Sequence, residues 1–191
     1  RMKYKEAMTR FGSDKPDVRF GMELHDITEI VKDTEFVVFK NAIEAGGSVR
    51  AINAEGCGHY PRKQIDSFVK TYKAKGLAWI VVNDDGSLKS QIAKFFTPEK
   101  LQEIVSALDG KPGDLILICA DKDKVVFDSL GALRCEIAKR QNLTKPGDFR
   151  FLWVTEFPMF EWDEEENRYV AEHHPFTCPM DEDLELLDTD P

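Results

Sequence analysis

The sequence predicts an α+β protein built as a two-layer α/β sandwich in mid-chain, with helices on one face of a sheet and two flanking pieces that pair with each other. Three observations predict it. Between residues 48 and 137, β-prone runs and helical stripes follow one another as strand, helix, hairpin, helix, strand, helix. The run LILICA at residues 115–120 is apolar without alternation, which marks a central strand. Each end carries its own pattern, a helical stripe over residues 4–11 and a strand–turn–strand pattern over residues 151–171. The expected division is residues 1–29, 30–148 and 149–191.

In chain order, Tyr4, Ala7, Met8 and Phe11 fall at helical spacing, and Gly12 is placed to end that helix. SDKPD at residues 13–17 is a turn. Ile27, Ile30 and Val31 suit a short helix, and FVVF at residues 36–39 suits a strand. A strand is expected over 48–53, after the Gly46-Gly47 turn. Pro61 starts a helix whose stripe is Ile65, Phe68, Val69 and Tyr72. The next strand, 77–82, turns at Asp85-Gly86 and returns over 90–96. Thr97 caps a helix with Pro98 at its first position and Gly110 past its end. After the central strand, Asp121 or Asp123 caps a long helix carrying Val126, Leu130, Leu133 and Ile137. Lys145-Pro146-Gly147 loops back to a strand near Phe149. Phe157-Pro158 interrupts the strand begun at residues 151–154, Met159, Phe160 and Trp162 resume it, and an acidic turn returns it through Arg168-Tyr169-Val170.

The formal charge of −9 is uneven. Residues 155–191 hold thirteen acidic residues against one basic, a net of −12, so the first 154 residues carry +3. Such acidity opposes indiscriminate polyanion binding but leaves room for a local basic face. No apolar run approaches membrane-spanning length. Cys57, Cys119, Cys135 and Cys178 form no C-x-x-C pair and fit no zinc spacing, so reduced thiols of a cytoplasmic protein and no metal site are expected.

Four features carry candidate chemistry. His173 and His174 are adjacent and precede Pro175, which biases His174 toward extended backbone. On a strand they would face opposite sides, so they suit a packed or surface pair better than one chelated ion. Lys15 and Arg19 follow the glycine that ends the first helix, as solvated charges or as phosphate contacts. Lys70 and Lys73 lie on the most basic helix of the chain, as a solvated face or as a contact to an RNA backbone. Glu156 precedes Phe157-Pro158. The loop EGCGH at residues 55–59 matches no phosphate-binding glycine pattern.

The segments RMKYKEAMTRFGSDKPDVRFG (1–21), TEFPMFE (155–161) and HHPFT (173–177), in this order, resemble bacterial-type aspartyl-tRNA synthetases. AGGSVRA (45–51), KAKGLAWI (73–80), IAKFF (92–96) and LGALR (130–134) resemble the GAD domain inserted into their catalytic domain. The resemblance implies a piece of a larger class II ligase, its flanks belonging to an antiparallel catalytic sheet. That ligase would be a cytoplasmic homodimer that activates L-aspartate with ATP and Mg2+ and transfers it to the 3′ end of tRNA. It implies aspartate contacts at His173 first and His174 second, tRNA or phosphate contacts at Lys15, Arg19, Lys70 and Lys73, and a place beside the active site for Glu156. The adenylate-forming motifs are not among these residues. The piece alone is therefore expected to be inactive and to bind neither ATP nor Mg2+ tightly. Two other readings stay open: a tRNA-binding GAD module of a tRNA-dependent amidotransferase subunit, and a purely structural insertion.

Overall fold

The computed structural model describes residues 1–163, 165–173, 178–187 and 189. Strand β1 (Met2–Lys3) leads into helix α1 (Tyr4–Phe11), whose Ala7 and Phe11 are buried. Gly12 ends α1 in the left-handed region at φ 66°, and its N–H closes the last turn on the Met8 carbonyl at 2.9 Å. After an irregular stretch come β2 (His25–Asp26), α2 (Thr28–Val31) and α3 (Val37–Glu44).

The strand expected at residues 36–39 is therefore a helix. The Thr34 hydroxyl accepts from the Phe36 N–H at 3.0 Å and turns the chain. Phe39 is then buried while Val37 and Val38 face outward, 61% and 48% exposed. Tertiary burial of one aromatic face overrides the β preference of the run.

Strand β3 (Ser48–Ala54) is followed by α4 (Arg62–Lys70) and β4 (Ala78–Val82). Ile65 and Val69 of the expected α4 stripe are buried, but Tyr72 lies beyond the helix end and is exposed. Strand β5 (Leu88–Ser90) is shorter than the return expected over 90–96. The Ser90 hydroxyl donates to the Trp79 carbonyl at 2.6 Å and accepts from the Ile92 N–H at 3.2 Å, and a 3-10 turn, Ala93–Phe95, follows. Helix α5 (Pro98–Ala107) has its expected cap: the Thr97 hydroxyl accepts from the Lys100 N–H at 3.3 Å.

Strand β6 (Leu115–Asp121) and helix α6 (Asp123–Arg140) complete the middle block. Neither aspartate caps α6, because Lys122 holds the cap position with no side-chain cap. Asp121 accepts from the Lys122 N–H, and Asp123 accepts from the Ser48 hydroxyl. In the last piece, ladder pairing starts only at β7 (Val154–Thr155), and Phe149, Phe151 and Trp153 before it are exposed. β8 (Phe160–Asp163) and β9 (Arg168–Ala171) form the expected acidic hairpin.

The main sheet has strand order β2-β3-β6-β4-β5, every pair antiparallel, with β6 at its centre. Alternate β6 side chains feed two separate cores. Leu115, Leu117 and Cys119 pack with Ile65 and Val69 of α4 and with Val126, Leu130, Leu133 and Ile137 of α6. Ile116 and Ile118 pack with Val31 of α2, Phe39 of α3 and Leu101, Ile104 and Val105 of α5. The α+β class stands, but helices cover both faces rather than one, so the block has three layers where two were expected. A strand apolar on both faces requires this cover.

Candidate functional site

The two chain ends meet. β1 pairs with β7, Met2 opposite Val154 and Lys3 opposite Thr155, and the Met2 N–H donates to the Trp153 carbonyl at 2.9 Å. This ladder is parallel, and the antiparallel pairing in the last piece is the β8–β9 hairpin. Lys3 pairs with Glu156 at 2.8 Å. Glu156 holds a positive φ of 59°, a conformation a side-chain-bearing residue adopts only when its surroundings impose it.

One residue further on, Tyr4 at the start of α1 packs its ring against Phe157 and His173, at centroid distances of 5.2 Å and 6.1 Å. Phe157 and His173 are 4.7 Å apart, edge to face. The Tyr4 hydroxyl donates to Glu172 at 3.2 Å, and the Glu172 N–H donates to the Met159 carbonyl. Partial burial and the Glu172 carboxylate push the Tyr4 phenol up to about 12, so it remains a donor at neutral pH. His173 Nδ1 lies 2.8 Å from the Pro158 carbonyl. A carbonyl only accepts, so Nδ1 carries the proton and Nε2 is the ring atom left for another partner. Beside this cluster is a cleft of about 570 Å3 lined by Glu156, Phe157, Pro158, Cys178, Met180 and Leu186. His174 lies outside the described residues.

The cations expected at residues 15, 19, 70 and 73 sit elsewhere. Lys15 is exposed and pairs with Asp14 at 3.2 Å. Arg19 forks onto Asp17 at 2.9 Å and 2.7 Å and holds that carboxyl below its usual range. Lys70 pairs with Asp66 at 2.6 Å, and Lys73 stands just beyond α4 at φ 69°. Among the described residues, no hydrogen bond, ion pair or ring contact joins these four to the His173 cluster. A further cavity of about 420 Å3, with Phe36, Arg62, Lys63, Lys75 and Trp79 on its wall, contains none of the candidate residues.

Sequence reasoning missed Arg134. Its side chain is 1% exposed, and its guanidinium donates to the carbonyls of Asp17, Phe20, Gly21 and Met22 at 3.0, 3.4, 2.8 and 3.0 Å. The rings of Phe20 and Phe11 lie 4.3 Å and 5.0 Å from it. Burial pulls its pKa down, but each of its three nitrogens donates to at least one carbonyl. The available signal was an arginine on the same helical stripe as Leu130, Leu133 and Ile137, where a charge needs partners.

Among the described residues, no helix is long and apolar enough to cross a membrane. No group of three or more His, Cys, Asp or Glu among them is placed to hold a metal ion.

The fold and a family-model match point to one class: residues 39–130 are similar to the GAD domain. Over its whole length the chain is similar to bacterial proteins named aspartate–tRNA ligase. It is 63% identical over 194 residues to those of Clostridium botulinum strains Langeland and Okra, covering 100% of this chain and 32% of theirs. It is 62% identical over 195 residues to that of Clostridium novyi strain NT, covering 100% of this chain and 33% of the relative. The chain thus spans about a third of the length of the curated relatives it matches.

Proposed function

We propose that this chain supplies the insertion domain and part of the amino-acid pocket of a class II aspartate–tRNA ligase. The whole ligase activates L-aspartate with ATP and Mg2+ and transfers the aspartyl group to the 3′ end of tRNA. One observation carries this reading: the similarity to aspartate–tRNA ligases runs through both flanks as well as the GAD domain. A GAD module of an amidotransferase subunit accounts for the middle of the chain but not for its ends.

Residues 1–29 and 149–191 belong, on this reading, to the catalytic domain, and 30–148 to the insertion. The β1–β7 ladder and the contacts of Tyr4 with Phe157 and His173 support grouping the ends. β2 is the one strand of the first piece that pairs with the middle sheet. His173, steadied by Pro158 and two rings, offers Nε2 to a substrate carboxylate, and His174 is the second contact. With Nδ1 committed to Pro158, a donating Nε2–H means the imidazolium form. Glu156 borders the cleft and fixes Lys3. Lys15, Arg19, Lys70 and Lys73 are contacts for tRNA phosphates, Lys15 and Lys73 being the least committed to carboxylates. The ligase acts as a cytoplasmic homodimer.

The whole protein should give ATP–pyrophosphate exchange that depends on L-aspartate, and the 191-residue chain alone should give none. Exchange driven by a different amino acid, or exchange by the chain alone, contradicts the reading. Removing residues 30–148 from the whole ligase separates a tRNA role, in which charging falls and exchange survives, from a scaffold that affects neither.

A further inference from the structure

We propose that α1 is a strut that couples the GAD block to the His173 cluster, and that Arg134 is the positioning residue that seats its far end. The strut is short, eight residues or about 12 Å at ~1.5 Å per residue. Its first residue, Tyr4, touches Phe157 and His173 and donates to Glu172. Its last residue, Phe11, is buried beneath the Arg134 guanidinium.

Beyond Phe11 the backbone meets α6 with no side chain between. A Cβ at Gly131 would fall 2.5 Å from the Gly12 carbonyl oxygen, and one at Gly12 would fall 2.4 Å from the Phe127 carbonyl oxygen. Arg134, one turn further along α6, gathers the carbonyls of residues 17 and 20–22. One of them, Met22, is itself held at a positive φ of 61°. The returning chain is tied to the strut as well: Arg10 forks onto Glu23 at 2.7 Å and 2.6 Å, and the Leu24 N–H donates to the Arg10 carbonyl at 2.8 Å. A shift of α6 therefore moves α1 as a unit, and α1 carries Tyr4 against the imidazole.

The test has two arms, and only the kinetic one rests on the aspartate-pocket reading. In the 191-residue chain, Arg134→Lys leaves carbonyls of residues 17–22 without donors. Amide exchange there should quicken by about tenfold, the His173 ring resonances should shift, and the amides of β3 and β6 should keep their protection. Gly131→Ala, which pushes on Gly12 from α6, should move the same His173 resonances. For Arg134→Ala, added guanidinium should return them toward the parent position. In the whole ligase, Arg134→Lys should raise the KM for L-aspartate on the order of tenfold, with the KM for ATP little changed. His173 resonances that stay fixed in both variants while the 17–22 amides loosen overturn the strut. Resonances that move with no change in the KM for aspartate support the strut and count against the pocket reading instead.

Discussion

The ring of Tyr4 stands edge-on to the imidazole of His173, centroids 6.1 Å apart and planes at 85°, joining residues 169 positions apart. With Phe157 it forms a three-ring contact that fixes the imidazole beside the cleft.

Tyr4→Phe keeps the ring contacts and removes the bond to Glu172. A cost of about 1 kcal/mol is expected by urea denaturation. Tyr4→Leu, which also loses the edge-to-face geometry, should cost more and should quicken amide exchange in residues 157–173.

The same phenol sets a pH limit. Its folded pKa, about 12, lies above the ordinary phenol value of 10.0, so above pH 10 the unfolded chain loses this proton before the folded chain does. The stability it contributes is fully present below pH 10 and is lost as pH rises toward 12. An absorbance titration should show a tyrosinate step near pH 12 that Tyr4→Phe removes.

Much of the fold was legible because single residues impose their geometry locally. Gly12, Thr97, Pro98 and the apolar run of β6 each did what elementary chemistry demands of them. Misreadings came where distant packing decides. FVVF carries strand propensity and helical burial at once, and only Phe39's place in the second core selects the helix. The unalternating apolar run 115–120 demands cover on both faces, which contradicts the one-face expectation. At the site, the two histidines were visible, but their neighbours Tyr4 and Phe157 were not, because no local pattern reports a contact across the length of the chain. Arg134 was hidden for the same reason: its acceptors are backbone carbonyls more than a hundred positions away.

Gly131→Ala should destabilise the chain by about 1–3 kcal/mol, because backbone rather than a yielding side chain meets the new methyl. Thermal unfolding followed by circular dichroism measures the loss. Thr97→Ala, at the α5 cap, should cost about 1 kcal/mol by the same method.

Two thiols should react quickly with an aromatic disulfide reagent. Cys135 and Cys178 are exposed, while Cys57 and Cys119 are buried. Cys178 should lead, since desolvation pushes the Cys135 thiol up. Cys119, pushed up to about 12 by burial, should react only after unfolding.

Charge reversal at Lys73 should weaken tRNA binding by the whole ligase, most visibly at low salt. Lys73→Glu is the cleaner probe, since Lys70→Glu would also set two carboxylates together at Asp66. An affinity that does not change, measured by filter binding at two salt concentrations, removes Lys73 from the tRNA interface.

The imidazole's task is tested most directly by ATP–pyrophosphate exchange in the whole ligase carrying His173→Ala. The expected result is a KM for L-aspartate raised at least tenfold, the loss of one charge-assisted hydrogen bond of about 1.5–3 kcal/mol, with the KM for ATP nearly unchanged. A KM for L-aspartate equal to that of the parent would contradict the placement of the amino-acid pocket at the junction of the two chain ends.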